Sequence, residues 1–266
     1  MNLKIKGKIA IVTGAGNGLG RAIALGLAAE GAKIVAADLN EEAAEKVAGE
    51  IKAAGSEGLA LSCDATNPDD VDMMVQKTSE IFGAIDILVN NVGGGFGTGF
   101  VTKTLIDIWD KTMEINLKSA FLCCRAAAQV MMKNKKGRII NLSSVSGRAG
   151  EPLLGPYCAA KFGVVGLTQV LAKELARFDI TVNAVCPGYV YTPGWEKLAQ
   201  LLKDAYPSHA AKSLDEIFAA RVKETTPLGR PQSAEEIASL VAYLASEEAR
   251  SITGQSISID GGIFMN

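Results

Sequence analysis

Short, nearly continuous apolar runs alternate along the chain with longer amphipathic stretches. The runs are Ile9 to Thr13, Lys33 to Asp38, Gly58 to Cys63, Ile85 to Asn90, Arg138 to Leu142, Thr181 to Cys186 and Ser256 to Ile259. Their β-branched content and shortness predict strands. Their weak apolar–polar alternation predicts strands covered on both faces. The stretches between them carry helix starts. Asn40-Glu41-Glu42 opens one, Asn67-Pro68-Asp69-Asp70 opens another with proline at the first helical position, and Ser233-Ala234-Glu235-Glu236 spells a capping box. Six strand–helix alternations predict an α/β fold, a doubly wound seven-stranded parallel sheet with helices on both faces. The rhythm breaks from Thr192 to about Pro231, where only two amphipathic stretches occur, Trp195–Ala205 and Ser213–Glu224. An insertion of that length after the C-terminal end of a strand predicts a lid or binding element. No linker, repeat or low-complexity tract divides the chain, so residues 1–266 read as a single domain with a lid at about 192–231.

Composition narrows the class. With 48% hydrophobic and 21% charged residues the chain is not of the disordered type. A net charge of -2 offers no basic face for nucleic acid or an anionic membrane surface. No apolar run is long enough to span a membrane, and Met1 to Lys8 leads into a strand without the pattern of a signal peptide. The five cysteines, Cys63, Cys123, Cys124, Cys158 and Cys186, form neither a disulfide framework nor a zinc pattern. They read as small apolar fillers in a reducing, cytoplasmic setting. His209 is the single histidine and lies in the expected lid, where an exposed loop position is predicted. No metal site is expected.

The glycines are the first sign of chemistry. Strand Ile9-Ala10-Ile11-Val12 runs into Thr13-Gly14-Ala15-Gly16-Asn17-Gly18-Leu19-Gly20 before a helix begins. Glycines in such a turn let the backbone approach a pyrophosphate, whose charge then sits at the helix N-terminus. The spacing of Gly14, Gly18 and Gly20 departs from G-x-G-x-x-G, and a tight strand–helix corner explains the same residues. The second strand adds Asp38, 24 positions after Gly14, about where an acidic residue accepts hydrogen bonds from an adenosine ribose. A carboxylate there repels a 2′-phosphate, and neither Asn17 nor Leu39 supplies a compensating cation. The expected cofactor is therefore NAD (NAD+/NADH), preferred over NADP. Asp38 also suits a helix N-cap beside Asn40, and the two roles are compatible.

Tyr157-Cys158-Ala159-Ala160-Lys161 places a phenol and an ammonium on one face of a helix. A buried ammonium favours the phenolate, which suits a general acid/base for an alcohol or ketone. The pair alone is unspecific, but Ser143-Ser144 ends the preceding strand, where an α/β sheet binds ligands. With these residues together, the chain from about Gly7 to Gly262 resembles the short-chain dehydrogenase/reductase family. Thr13-Gly14-x-x-x-Gly18-x-Gly20 matches the family's cofactor turn, and Asp64 its adenine-contacting aspartate. Asn90-Asn91-Val92-Gly93 is similar to its Asn-Asn-Ala-Gly, with valine replacing alanine. Asn116 falls on the helix asparagine, Ser144 on the catalytic serine 13 before Tyr157, and Pro187-Gly188 with Thr192 on the segment bordering the nicotinamide.

The resemblance implies a Rossmann-like fold and a catalytic tetrad of Asn116, Ser144, Tyr157 and Lys161. In it Tyr157 exchanges the proton, Lys161 lowers its pKa and bonds the nicotinamide ribose, and Ser144 holds the substrate oxygen. Asn116 links Lys161 to a proton relay through a helix kink and a water. Cofactor contacts are implied at Gly14, Asn17, Gly18, Leu19, Gly20, Asp38, Leu39, Asp64, Ala65, Asn91, Gly93, Pro187, Gly188, Val190 and Thr192, with Tyr157 and Lys161. Phe96 in the glycine-rich loop Gly93–Gly99, Tyr189 and Trp195 are candidate substrate contacts beside Ser144; packing explains the latter two equally well. The implied activity is hydride transfer between NAD(H) and a secondary alcohol/ketone pair. A 3-oxoacyl carrier-protein reductase is the alternative, disfavoured by Asp38 because such reductases commonly use NADPH. A non-catalytic dinucleotide sensor is a further reading, and the filled tetrad argues against it. Ala-rich stretches at Ala120–Val130 and Ala159–Ala176 suit packing in the family's usual homodimers and homotetramers.

Overall fold

The computed structural model describes residues 3–205 and 209–265, so Tyr206, Pro207 and Ser208 of the expected lid, and Met1 and Asn2 at the start, lie outside the described residues. Seven strands form one sheet: β1 (Ile9–Thr13), β2 (Lys33–Asp38), β3 (Gly58–Ser62), β4 (Ile87–Asn90), β5 (Gly137–Leu142), β6 (Ile180–Pro187) and β7 (Ser256–Ile259). Their order is β3-β2-β1-β4-β5-β6-β7, and every pairing is parallel. The strand ends shift by one or two residues from the sequence expectation. β4 begins at Ile87 rather than Ile85, although Asp86 just before it already bonds both neighbours through its backbone, its N–H to the Ile9 carbonyl and its carbonyl to the Arg138 N–H. Its carboxylate pairs with Lys8 at 2.9 Å and accepts the Ile9 N–H at 3.0 Å.

Successive strand residues feed opposite faces of the sheet, as the two-residue period requires. On β1, Ala10 and Val12 join one core with Ile23 and Leu27 of α1 (Gly18–Ala29), Val47 and Ile51 of α2 (Glu41–Ala53), and Ile237 and Val241 of α9 (Ala234–Ala245). Ile11 joins the other, with Val71 and Met74 of α3 (Pro68–Phe82), Leu122 and Met131 of α5 (Ser119–Asn134), and Ala172 and Leu175 of α6 (Gly155–Leu175). The caps behave as the sequence predicts. Asn40 caps α2, Asn67 caps α3 with Pro68 at its first turn, and Ser233 and Glu236 close a capping box on α9. α4 (Ile106–Met113) runs directly into a π-helical turn, Glu114–Lys118, before α5.

The segment that breaks the rhythm forms α7 (Pro193–Ala205) and α8 (Leu214–Thr225). It has a small core of its own, in which Trp195, Ala199 and Leu202 meet Ile217, Phe218 and Val222. His209 lies between the two helices in the chain and is half-buried, not exposed as the sequence suggested, with its Nδ1 closed off from solvent. Among the described residues no helix is long and apolar enough to cross a membrane.

Candidate active site

β1 and β4 lie side by side at the centre of the sheet, although three helices and two strands separate them in sequence. At this reversal of strand order the loops beyond the carboxyl ends diverge, which is where open α/β sheets hold ligands. A cleft of about 760 Å³ opens there.

One half of the cleft is built by glycine. After Thr13 the chain turns through Gly14 at φ 62° and Gly18 at φ 52°, left-handed conformations that favour a residue without Cβ. Gly20 serves packing instead: a Cβ there would overlap the Gly14 carbonyl. Asn91, just past β4, donates to the Thr13 and Gly14 carbonyls at 3.1 Å each, and so ties the two strand ends together. Asn17 caps α1 without a side-chain bond, and the first turn of α1 holds no acidic residue. Its N–H groups are thus left without a side-chain acceptor, as an anion site requires. At the rim, Asp38 accepts the Gly16 N–H on Oδ2 at 2.8 Å and the Asn40 N–H on Oδ1 at 2.9 Å. Asp64 Oδ1 accepts both the N–H and the hydroxyl of Thr66, which fixes its position on the same wall.

The other half gathers the polar groups. Ser143 and Ser144 follow β5. Ser143 is buried and donates to the Lys161 carbonyl at 3.0 Å, a structural bond. Ser144 Oγ accepts the Ser146 N–H at 3.1 Å and stands beside Tyr157, where its hydroxyl favours the ionised phenol. Tyr157 and Lys161 lie one turn apart on α6, with the Lys161 ammonium 5.7 Å from the centre of the Tyr157 ring. Lys161 Nζ donates to the Leu142 carbonyl at 2.8 Å. Burial holds the Lys161 pKa down to about 8. It pushes the Tyr157 phenol above its ordinary 10, with the Ser144 hydroxyl acting in the opposite direction. Desolvation, not the neighbouring ammonium, therefore sets the resting state of the phenol, a balance that the sequence pattern does not express.

Asn116 lies in the π-helical turn, buried, and clamps Gly94 from both sides. Its Nδ2 donates to the Gly94 carbonyl at 2.7 Å, while its Oδ1 accepts the Gly94 N–H at 3.1 Å. A Cβ on Gly93 would stand 2.6 Å from Asn116 Oδ1 and 3.0 Å from Lys161 Nζ, so three groups of distant sequence converge at that glycine. π-Turns of this kind recur at functional sites because they redirect one side chain.

Most of the sequence-assigned residues line the cleft together, from Gly14, Asn17, Gly18, Leu19, Asp38 and Leu39 through Asp64, Ala65, Asn91 and Gly93 to Pro187, Gly188, Val190 and Thr192. Ser144, Tyr157, Lys161, Tyr189 and Trp195 line it as well. Gly20 and Asn116 do not line the cleft; they lie against Gly14 and Gly94, which do. Phe96 is 43% exposed and does not line the cleft, so the bare Gly94, Gly95 and Gly97 form that rim instead.

Three further features carry no local mark in the sequence. Glu151 pairs with Arg221 of α8, whose Nε donates to the Tyr189 hydroxyl at 3.1 Å, joining the loop after β5 to the inserted helices. Gly16 abuts Asp38. Asn90 and Asn141 share a buried bond of 2.8 Å, extended to Thr168 at 2.9 Å, beneath the site. Only the fold brings these partners together. Gly16 was in view but filled a variable position of the motif.

Comparison with known proteins accords with this geometry. A family model described as Enoyl-(Acyl carrier protein) reductase matches residues 14–264. A 3-oxoacyl-(acyl-carrier-protein) reductase of Synechocystis sp. (strain ATCC 27184 / PCC 6803 / Kazusa) is 40% identical over 260 residues, covering 97% of each chain. A short-chain type dehydrogenase/reductase from Mycobacterium marinum superposes with a TM-score of 0.89 at 33% identity, covering 99% of this chain and 98% of that one. An NAD+-bound xylitol dehydrogenase superposes with a TM-score of 0.91 at 32% identity, covering 97% of this chain and all, 100%, of that one. The matched length, the sheet order and the ordered site motifs agree, and the chain belongs to the short-chain dehydrogenase/reductase family of oxidoreductases.

Proposed function

We propose that this protein is an NAD(H)-dependent oxidoreductase that interconverts a secondary alcohol and a ketone. The observation that carries the reaction type is Tyr157 and Ser144 together on the cleft wall, with the buried Lys161 ammonium 5.7 Å from the centre of the phenol ring. The dinucleotide suits the residues present: Gly14 and Gly18 line the cleft without side chains and leave room for a pyrophosphate, and the first turn of α1 holds no acidic side chain. When bound, it supplies or accepts the hydride.

The chain's own groups do the rest. Tyr157 passes the proton to or from the substrate oxygen. Ser144 holds that oxygen and stabilises charge as it develops. Lys161 places a positive charge beside the phenol, offsetting the desolvation that opposes its ionisation. Asn116 fixes the Gly93–Gly94 backbone against which Lys161 rests. Residues 192–231 act as a substrate lid, supported by their separate small core and by the Glu151–Arg221–Tyr189 connection.

Asp38 supports NAD over NADP, because its carboxylate stands at the cleft rim with no Lys or Arg at positions 17 or 39. A second reading, reduction of a 3-oxoacyl group on a carrier protein, is favoured by the name of the Synechocystis relative. The two separate on one measurement. Initial rates with NAD(H) and NADP(H), over a panel of cyclic alcohols, hydroxy acids, hydroxysteroids and a 3-oxoacyl thioester, are expected to show higher kcat/KM with NAD(H). Preference for NADPH with the thioester as best substrate would replace the first reading by the second.

The expected homodimer or homotetramer is supported by exposed apolar side chains concentrated on neighbouring elements. They are Phe100, Val101, Leu105, Ile106 and Trp109 at α4, Phe121 on α5, and Phe162 and Val170 on α6. Patches of this kind mark contact surfaces. Sedimentation equilibrium is expected to give at least twice the 27.8 kDa chain mass; a monomer at micromolar concentration would refute the assembly. A cytoplasmic setting is consistent with five buried, free thiols.

A further inference from the structure

Gly16 is not a glycine for conformational reasons. Gly14 and Gly18 take left-handed backbone angles, whereas Gly16 does not, so its φ is open to any residue. What excludes a side chain is space. A Cβ built on Gly16 would lie 2.9 Å from Asp38 Oδ2, 3.1 Å from Asp38 Cγ and 2.7 Å from the Ala43 Cβ at the start of α2. The same residue supplies the N–H that bonds Asp38 Oδ2 at 2.8 Å. With the Asn40 N–H on Oδ1, one bond to each oxygen fixes the plane of the carboxylate. An ionised carboxylate has about four acceptor positions, so lone pairs remain on both oxygens for a ligand's hydroxyls.

We infer that Gly16 is the positioning residue for cofactor choice: by offering an N–H and no Cβ, it seats the Asp38 carboxylate where the ribose 2′- and 3′-hydroxyls are read and a 2′-phosphate is repelled. This rests on the NAD reading above and adds a second residue to it. Asp38 alone does not secure the preference. A side chain at position 16 would crowd Asp38 Oδ2, the oxygen that the Gly16 N–H holds, and shift the carboxylate although Asp38 itself is unchanged.

The test is a double-mutant cycle read as a preference ratio of NAD over NADP, taken from kcat/KM and, without substrate, from the dissociation constants of NADH and NADPH measured by fluorescence quenching. The wild-type ratio is measured first. Preference for NADP would overturn the coenzyme reading and this inference with it. Given NAD preference, Asp38→Ala is expected to collapse the ratio, and Gly16→Ala to lower it about tenfold, the loss of roughly one charge-assisted hydrogen bond. In the Asp38→Ala background the same glycine substitution is expected to change the ratio by less than about twofold, because the group it acts through is gone. A Gly16→Ala protein that keeps the wild-type ratio while Asp38→Ala loses it would overturn the role of Gly16 alone. So would an equal fall in both backgrounds, which marks a general disturbance of the turn. If Gly16→Ala does not melt cooperatively, the same comparison is made with Ala43→Gly added, which removes the nearest colliding atom.

Discussion

Replacing Tyr157 by phenylalanine is expected to lower kcat by about a hundredfold to ten-thousandfold, the usual contribution of a positioned general acid or base. The substitution removes one hydroxyl and keeps the ring, so the wall of the cleft beside Lys161 stays filled. Ser144 loses one neighbour but retains the Ser146 N–H at 3.1 Å, and the turn after β5 keeps its shape. The dinucleotide half of the cleft, from Gly14 to Asp64, is built by other loops and is untouched. Quenching of protein fluorescence by NADH is therefore expected to give a dissociation constant within about twofold of wild type, while single-turnover rates collapse. Turnover within tenfold of wild type would show that another group carries the proton. Loss of NADH binding would show that the phenol holds the cofactor rather than the reacting oxygen.

The sequence made the frame of this site legible because its parts are local. A strand running into Thr13-Gly14 and a helix opening at Gly18 are written in adjacent residues, and so is the one-turn spacing of Tyr157 and Lys161. Asp38 was legible for a similar reason, since the end of β2 falls at a predictable distance from the glycine turn. What escaped was set by tertiary contact. Glu151 and Arg221 are separated by the whole of α6, β6 and α7, and nothing in either neighbourhood marks them as partners. Gly16 was unmarked because its constraint comes from α2 and β2 rather than from its own dihedral angles. Phe96 misled in the opposite way. An aromatic residue among glycines suggested an apolar contact, but those glycines themselves form the rim and leave the ring outside.

The balance of charge at the tetrad also belongs to the fold. A four-residue spacing says that an ammonium stands near a phenol, but not how much water either retains. Here Lys161 is 4% exposed, with a single carbonyl acceptor at 2.8 Å, and Tyr157 feels desolvation more than its neighbour. On the proposed mechanism this pair works only while a proton stays on a lysine that burial makes acidic.

Replacing Lys161 by methionine separates that catalytic use from its structural cost. The Lys161 pKa falls from an ordinary 10.5 to about 8 on folding, so the ammonium is present below about pH 8 and is lost as pH rises through it. Ketone reduction needs the phenol protonated and the ammonium charged, so wild-type kcat/KM is expected to be level below pH 8 and to fall above it. Lys161→Met is expected to lower kcat/KM about a hundredfold or more at pH 7 and to lose the limb near pH 8. Stability has the other sign. A cation whose folded pKa lies below its unfolded one destabilises the fold fully below the folded pKa, and the penalty is relieved between about pH 8 and 10.5. That penalty is on the order of 3 kcal/mol at pH 7, at 1.36 kcal/mol per pKa unit. Methionine removes it but leaves the Leu142 carbonyl without its donor, at a cost of about 1–3 kcal/mol. The variant is therefore expected to melt within a few degrees of wild type at pH 7, and wild type to gain on the variant as pH rises from 8 to 10.5. Paired melting curves and pH–rate profiles check both halves. A variant that retains the limb near pH 8 would assign that titration to another group, and a large fall in Tm at pH 7 would make Lys161 a structural residue first.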